Sequence, residues 1–287
     1  MSDSTPSTAP AARSGLARLV LRAFGMLAVF AVGAAMIWYF VGRTLWSEYQ
    51  DMQKASRASE DSVPVGYVGI NYRRSYNDRS PVFLFDRDGK KLLWASGGVG
   101  QQQEFYDVTA ADFPAAEVEG GYGRDSVPGI DYPILEPPDG EHAGHLRGRQ
   151  TVFGVALGVG LRAYPEDLLA KIEVVNDQDG ATPFVVVYHR GRKRAYCFER
   201  TLGGGTITFG STGYDFRKAP LLYDRKTKSL WILFSDDALV CVSGELKGSK
   251  SAPFKAAEPV AWEDWRSRNP TTSIVVGNDR SKPIPSE

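Results

Sequence analysis

Three residues in the second half of this sequence could together bind a metal ion. His189, Glu173 and Cys197 would supply an imidazole nitrogen, a carboxylate and a thiolate, which form a possible set of three ligands. The alternative, which we favour, is that His189 is a hydrogen-bonded or solvent-touching histidine at the end of a strand. We therefore predict no metal site, no catalytic residue and no cofactor, with these three residues as the weak candidates for a metal site.

A second group of residues could bind an anion. Four basic side chains surround Gly191 in a predicted hairpin turn, and they are Arg190, Arg192, Lys193 and Arg194. A guanidinium fork matches the geometry of a phosphate or a carboxylate, so the turn could contact an anion or a lipid headgroup. The favoured alternative is an ordinary solvated turn.

The chain contains only two cysteines, Cys197 and Cys241. Two thiols exclude a disulfide scaffold and any zinc or iron–sulfur site made of cysteines alone. Both cysteines lie in strand-like runs, AYCFE and LVCVS. We expect two buried free thiols, with a single disulfide bridge as the alternative.

Charge excludes one class of partner. The 287 residues carry 34 basic and 34 acidic side chains, and this balance gives no reason to expect nucleic-acid binding. The distribution is uneven, because residues 44–140 carry 16 acidic and 9 basic side chains and residues 187–255 carry 6 acidic and 13 basic. We expect the two regions to pack together and neutralise each other; the alternative is a basic face for anionic lipid or polyanions.

An uncharged apolar segment near the N-terminus predicts a membrane anchor. Residues 23–41 are 19 consecutive residues without a charge, which as a helix would span about 28 Å, close to the thickness of a bilayer's hydrocarbon core. Three arginines precede the segment, so the positive-inside rule places the N-terminus in the cytoplasm and the rest of the chain outside. The predicted lipid contacts are Phe24, Leu27, Phe30, Ile37, Trp38, Tyr39 and Phe40.

Two alternatives to a signal anchor fit this segment less well. A cleaved signal peptide would have a shorter apolar region with small residues directly after it, whereas Ala34-Ala35 is followed by Met-Ile-Trp-Tyr-Phe. A buried helix of a soluble protein would not be apolar around its whole circumference. We therefore predict a single-pass membrane protein.

The remaining chain predicts one mainly β domain with two short helices. The predicted regions are a disordered tail at 1–15, the transmembrane signal anchor at 16–42, a polar stalk at 43–62, the extracytoplasmic domain at 63–277 and a disordered tail at 278–287. Alternating apolar runs predict strands from VGYVGINY at 65–72 to SIVVG at 273–277. Asp88-Gly89 predicts a hairpin turn. Pro165-Glu166-Asp167 predicts the start of one short helix, and AWEDWRSR at 261–268 predicts the other. Residues 97–140 predict mostly ordered loop.

Several stretches in collinear order resemble one known family. They are GRDSVPGIDYPIL (123–135), LRAYPEDLL (161–169), VVND (174–177), TFGSTG (208–213), LLYDRKTKSLW (221–231) and AWEDWRSRNP (261–270). This pattern resembles the domain of unknown function 3179 family over about residues 105–275. The resemblance implies a fold and an envelope location more than a reaction.

The chain departs from that family at two places. Members commonly carry Trp-His-Glu before the Val-Asn-Asp, where this chain has Lys171-Ile172-Glu173. They also commonly carry Cys-Pro-Leu-Cys, where this chain has His189-Arg190-Gly191-Arg192. A thiol pair with a nearby His and Glu could bind a soft metal or undergo redox cycling, and these substitutions remove most of that capacity.

The sequence therefore favours a membrane-anchored, non-catalytic binding or structural module. Its expected partners are the lipid bilayer and an unidentified envelope protein. The alternative is an envelope enzyme whose metal or thiol centre is degenerate in this member.

Overall fold

The computed structural model describes residues 84–97, 102–235 and 238–283. The predicted N-terminal tail, membrane anchor and stalk, and the predicted strand at 65–72, lie outside these residues. Within the described part of the chain, no helix is long and apolar enough to cross a membrane. The described residues all fall in one compact unit of the chain.

The described residues are mainly β, as predicted, with two short helices. The helices are α1 (Glu166–Ile172) and α2 (Trp262–Arg268). The strands are β1 (Leu84–Arg87), β2 (Lys90–Ser96), β3 (Glu104–Asp107), β4 (Val118–Gly120), β5 (Pro133–Glu136), β6 (Thr151–Ala156), β7 (Leu161–Pro165), β8 (Val174–Asp179), β9 (Thr182–His189), β10 (Arg194–Glu199), β11 (Thr201–Leu202), β12 (Gly205–Thr206), β13 (Phe209–Phe216), β14 (Ala219–Asp224), β15 (Leu230–Ser235), β16 (Ala238–Ser243), β17 (Lys250–Ser251), β18 (Ala257–Ala261) and β19 (Ser273–Asn278).

A three-stranded antiparallel sheet of β10, β9 and β8 forms the middle layer. Alternate residues of a strand point to opposite faces, so this sheet buries apolar side chains on both sides. Val175 and Val186 pack in the cluster shared with the five-stranded sheet β18-β6-β7-β19-β5. Val174 and Val185 pack in the cluster shared with the six-stranded sheet β17-β16-β15-β14-β13-β4. Strands buried on both faces explain the nearly continuous apolar run PFVVVY.

The two outer sheets are covered in turn by other elements. The three-stranded sheet β1-β2-β3 packs its Leu93 and Tyr106 against Tyr214 and Tyr223 of the six-stranded sheet. Helix α2 packs Trp262 and Trp265 against the other face of the five-stranded sheet. The sheets and helix α2 therefore form a stack of layers, and one apolar cluster fills each space between two neighbouring layers.

Both helices form where the sequence predicts them. In α1, the acidic residues Glu166 and Asp167 lie in the first turn and Lys171 in the last, which matches the helix dipole. In α2, Glu263 and Asp264 lie in the first turn, while the two tryptophans are buried. Each helix is only two turns long, so its burial against a sheet stabilises it more than its own propensity does.

The predicted hairpins are also present, but the 97–140 region contains more structure than predicted. Asp88 and Gly89 have φ angles of 52° and 75° and join β1 to β2, as the positive-φ turn requires. Three short strands lie in the stretch predicted to be mostly loop: β3, β4 and β5. β3 adds to the edge of the β1–β2 hairpin, and β4 and β5 pair with the distant strands β13 and β19. Because these short strands form by pairing, an alternating pattern of apolar and polar residues does not predict them.

The C-terminal boundary of the folded domain lies slightly beyond the predicted residue 277. β19 extends through Asn278, whose Oδ1 accepts hydrogen bonds from the backbone amides of Asp131 and Tyr132 at 3.2 and 2.9 Å. Asp279 donates its amide to the Tyr132 carbonyl at 2.8 Å. These hydrogen bonds fix the start of the segment predicted to be a disordered tail.

Packing of α2 on the five-stranded sheet depends on one glycine. A Cβ at Gly154 of β6 would overlap ring carbons of the buried Trp265. We expect Gly154→Ala to lower the free energy of unfolding by about 1–3 kcal/mol through overpacking, measured by urea denaturation. Gly144→Ala is the matched control, since a Cβ there meets nothing within 4 Å. Equal stability of the two variants would contradict this packing.

Candidate functional site

The motifs that carry the family resemblance converge on a polar network inside the domain. Asn176 and Asp177 of β8 are its centre, at 1% and 5% exposure. Being adjacent on a strand, they point to opposite faces of the middle sheet. Each therefore joins that sheet to a different neighbour.

Asn176 holds the middle sheet to the six-stranded sheet. Its Nδ2 donates to the Phe209 carbonyl at 2.8 Å, and its Oδ1 accepts from the Phe209 amide at 2.9 Å. The same Nδ2 donates to Asp131 Oδ1 at 2.9 Å. An amide side chain can make these paired bonds to one backbone residue because it carries both a donor and an acceptor.

Asp177 holds the middle sheet to the five-stranded sheet. Arg162 Nη1 donates to its Oδ1 at 2.5 Å, and the Tyr164 hydroxyl donates to its Oδ2 at 2.6 Å. Burial and the neighbouring Asp177 carboxylate raise the pKa of Tyr164, so the phenol stays a donor. Since Arg162 is also buried, this is an interior ion pair with both carboxylate oxygens occupied.

Arg225 joins two further carboxylates, which come from the GRDSVPGIDYPIL stretch. Its Nη1 lies 2.9 Å from Asp125 Oδ2 and its Nη2 lies 3.0 Å from Asp131 Oδ2. The Tyr223 hydroxyl donates to the same Asp125 oxygen at 2.5 Å. Burial raises the pKa of Asp131, while Arg225 acts in the opposite direction by favouring the carboxylate.

A bulge in β13 provides the seat for the loop that carries Asp125. The register of β13 against β14 shifts between Ser211 and Tyr214, and Gly213 there has a φ of 79°. A Cβ at Gly213 would lie 2.8 Å from the Gly123 nitrogen, so only glycine allows this approach. The Asp125 amide donates to the Ser211 carbonyl at 2.8 Å, which completes the contact. The glycines of TFGSTG therefore position the acid of GRDS.

Asp224, next to Arg225, organises the turn of LLYDRKTKSLW. Its Oδ1 accepts from the Thr227 amide at 2.6 Å, and its Oδ2 accepts from Trp231 Nε1 at 3.1 Å. This is the usual use of a buried aspartate in a turn. Asn176, Asp177, Arg225 and Asp224 thus hold sheets and turns together.

The hairpin of β9 and β10 brings the predicted anion residues to the surface, next to a second turn. The Gly191 amide donates to the Lys218 carbonyl at 3.2 Å across the gap between the two turns. We define the basic hairpin face as Arg192, Lys193, Arg194, Arg217 and Lys218, all of which are exposed. Beside it lies a cavity of about 470 Å³, lined by His189, Arg192 and the aromatic residues Phe113, Phe216 and Phe234, among others.

Arg190 differs from the other three predicted anion-contact residues because it pairs inward. Its guanidinium pairs with Glu173 and lies 3.3 Å from Asp215 Oδ2. Arg190 is only partly exposed and is thereby engaged within the domain, whereas Arg192, Lys193 and Arg194 are exposed. Sequence analysis did not identify Arg217 and Lys218, which come from a distant part of the chain.

The three metal candidates do not form a common site. Glu173 pairs with Arg190, His189 lines the cavity beside the basic hairpin face, and Cys197 lies in the apolar core. In residues 84–97, 102–235 and 238–283, no three His, Cys, Asp or Glu side chains are grouped closely enough to hold a metal ion. By the resemblance, residues 189–192 occupy the place of the Cys-Pro-Leu-Cys run, and here they end β9 and form its turn.

Both cysteines are free and buried, which confirms the favoured prediction. Burial strongly raises the pKa of Cys197 and raises that of Cys241 to about 11. Because the thiolate is the reactive form, neither thiol is suited to nucleophilic or redox chemistry at neutral pH.

Ion pairs between the acidic and the basic regions agree with the predicted neutralisation. Within the described residues, basic side chains from 187–255 pair with acidic side chains from 44–140, for example in Arg217–Glu117, Lys218–Glu119, Arg225–Asp125, Arg225–Asp131 and Lys247–Asp112. The two regions therefore pack against each other, while the hairpin face keeps exposed basic side chains.

The fold and this network define a mainly β domain whose separate motifs meet in one buried ionic core. The sequence model of the family described as protein of unknown function (DUF3179) matches residues 124–283. The match covers more than half of the chain, so the chain belongs to this family, as the motifs predicted. Comparisons with curated proteins and with solved structures find no match to it.

Sequence reasoning found the motifs but not the pairing among their charged residues. Arg162, Arg200 and Arg225 were not singled out, although each lies in or next to a strand-like apolar run. A charged residue in such a run is costly to bury unless it is paired. That signal could have predicted a buried network, but not which acid faces which base.

The ionic core gives a pH-dependent prediction. Arg225→Gln leaves two carboxylates without their cation, so we expect the free energy of unfolding to fall by about 3–5 kcal/mol near neutral pH. Asp131 then has an even higher pKa in the folded state than in the unfolded chain. The folded state consequently binds the proton more tightly, and the deficit relative to wild type should shrink as the pH falls toward about 4.

Urea unfolding of both proteins across that pH range measures the effect. The matched control is Arg268→Gln, whose exposed partner Glu258 is 3.8 Å away, with an expected change below about 1 kcal/mol. A deficit for Arg225→Gln that stays constant or grows as the pH falls would show that Asp131 is not the group left unpaired.

Proposed function

We propose that this protein is a membrane-anchored, extracytoplasmic binding module without a catalytic role of its own. Residues 23–41 form the anchor, the N-terminus is cytoplasmic and the β-rich domain lies outside. The uncharged length of that segment and the arginines before it support this orientation. The basic hairpin face contacts the anionic headgroups of the same membrane.

The direct contact between the two hairpin turns is the observation that carries this proposal. A Cβ at Gly191 would lie 2.6 Å from Cβ of Lys218, so the turns approach as closely as backbone and side chain allow. The approach brings the five basic side chains of the face together, and two of them, Arg217 and Lys218, pair with Glu117 and Glu119. Those pairs are exposed to solvent, where screening leaves each worth about 1 kcal/mol or less.

The turn of β13 and β14 supports a role for its charges beyond the fold. Arg217 and Lys218 occupy its two central positions with φ angles of 52° and 65°. Two-residue turns of this type prefer Asn-Gly, because residues with a larger side chain are strained at positive φ. Strain of this kind is often retained where a side chain has a function.

Aromatic side chains next to these cations favour a lipid surface as the partner. Phe234 is 72% exposed and lines the cavity together with Phe113 and Phe216. Basic residues beside an exposed aromatic side chain are typical of segments that lie at an anionic membrane surface. A domain tethered to a bilayer has that surface within reach.

The enzyme alternative is less well supported. A thiol centre would need an accessible thiolate, but burial raises the pKa of both cysteines. A metal centre at the candidate residues would need the Glu173 carboxylate, which Arg190 already engages.

Topology can be tested by proteolysis of cells whose cytoplasmic membrane is accessible. We expect external protease to remove a C-terminal epitope of the full-length chain while an N-terminal epitope stays protected. A cytoplasmic marker protein, digested only after lysis, is the control. Protection of the C-terminal epitope until lysis would refute the proposed orientation.

The basic hairpin face can be tested with a double variant that suits its turn. We expect Arg217→Asn with Lys218→Gly to remain folded, since Asn-Gly is the preferred pair for this turn. The full-length chain carries an environment-sensitive dye at Pro114→Cys, an exposed position at the same cavity, so that Phe234 is kept, and it sits in lipid nanodiscs. Replacing about a third of the neutral lipid with phosphatidylglycerol should shift the dye emission to the blue, and 0.5 M salt, at roughly 4–5 Å screening length, should reverse the shift.

Removal of both basic side chains should at least halve that shift. Lys250→Gln with Lys255→Gln removes the same charge from exposed positions outside the face and should leave it unchanged. An equal response of the two double variants, or a shift that also occurs in neutral lipid, would rule out this face as the contact.

A further inference from the structure

A second cavity, bordered by residues of the motif network, is lined mainly by polar residues. It measures about 550 Å³ and lies where β7, β8 and the start of β5 come together. Its lining includes Asp131, Arg162, Asn176, Asp177, Arg200 and Thr208. A volume of this size falls in the range of small-molecule sites.

Arg200 brings a buried positive charge to this cavity. It follows β10 and is 9% exposed. Its Nε donates to the Phe184 carbonyl at 2.9 Å, its Nη1 to the Ile207 carbonyl at 3.0 Å and its Nη2 to the Asp177 carbonyl at 3.2 Å. These acceptors are neutral, so they orient the guanidinium without cancelling its charge.

The acidic residues near Arg200 are engaged with other cations. Asp177 is paired with Arg162, and Asp131 is paired with Arg225, which it shares with Asp125. Within the described part of the chain, Arg200 forms no ion pair of its own with a carboxylate. Burial lowers the pKa of Arg200 to about 10, and the group is still cationic at neutral pH.

Five N–H groups are available on a guanidinium, and the contacts of Arg200 account for four of them. Besides the three carbonyls, Nη1 also donates to Thr208 Oγ1 at 3.4 Å. One hydrogen on Nη2 remains for a further acceptor. An oriented, buried cation with a remaining donor at the wall of a cavity is suited to a charge-assisted hydrogen bond.

We propose that this cavity binds a small molecule through a single carboxylate group, which accepts a hydrogen bond from Arg200. The carboxylates of Asp131 and Asp177 lie nearby and favour a monoanionic carboxylate ligand over phosphate, because they would repel a dianion more strongly than a monoanion. Exposed Thr206 lies at the cavity and provides a position from which the site can be altered. The cavity shares no lining residue with the cavity beside the basic hairpin face, so the proposal does not depend on membrane contact.

The test uses the full-length chain in neutral detergent and three probes at constant ionic strength. Acetate supplies the carboxylate, acetamide is its neutral isostere and inorganic phosphate is the alternative anion. A ligand that binds the native state raises the unfolding temperature in a saturable manner. We expect saturation by acetate at millimolar concentration, with no saturable effect of acetamide or phosphate.

Two matched variants locate the site without changing Arg200. Thr206→Glu places a carboxylate at the cavity and should weaken acetate binding at least tenfold. Thr201 is the direct cross-strand partner of Thr206, is also exposed and is not part of the cavity lining. Thr201→Glu therefore adds the same charge on the same hairpin and should leave acetate binding close to wild type.

Isothermal titration of each variant measures the affinity, and its unfolding curve confirms that it is folded. Saturable acetate binding that is lost in Thr206→Glu and kept in Thr201→Glu supports the proposal. The proposal is overturned if acetate shows no saturable effect, if phosphate binds instead, or if Thr206→Glu binds acetate as wild type does.

Discussion

The architecture depends on the alternation of side chains along β8. Val174 and Asn176 face the six-stranded sheet, while Val175 and Asp177 face the five-stranded sheet. One short strand therefore contributes an apolar and a polar contact to each neighbouring layer. The apolar contacts favour stacking in general, but they do not fix how the layers slide or rotate. The hydrogen bonds of Asn176 and Asp177 have specific partners and directions, so they select one arrangement.

Burying so many charges is tolerated because they are paired. Arg162 with Asp177, and Arg225 with Asp125 and Asp131, place guanidinium groups within 3.0 Å of their acids. Desolvation would otherwise make each of these groups costly in the interior. Such a network stabilises the fold less than its number of contacts suggests, but the loss of one member leaves the others uncompensated. Each buried acid of one motif therefore needs the base that another motif supplies.

Two cavities of the domain differ in chemistry. At one, two turns in contact expose basic side chains next to aromatic residues. The other is polar, is lined in part by the ionic core and contains the cation Arg200, held by backbone carbonyls. In this family member the place of the Cys-Pro-Leu-Cys run, given by the resemblance, is occupied by the basic turn. The two free cysteines lie in the apolar clusters on either face of the middle sheet.

The sequence by itself determined the mainly β class, the two short helices, most hairpins and the membership of the family. Each of these follows from local signals, such as alternation, the Asp88-Gly89 turn or the acids at the start of α1, because neighbouring residues suffice to create them. The prediction of a membrane anchor also comes from the sequence alone, since it concerns residues outside the described ranges.

Tertiary structure alone decided the strands β3, β4 and β5, which form by pairing rather than by pattern. It also decided the partners of Arg190, Arg200 and Arg225. Tertiary structure also decided that Arg217 belongs to the basic hairpin face, because two hairpins that are distant in the chain contact each other there. A charged side chain does not encode its partner locally, because the pairing free energy depends on distances and burial that exist only after the layers have stacked.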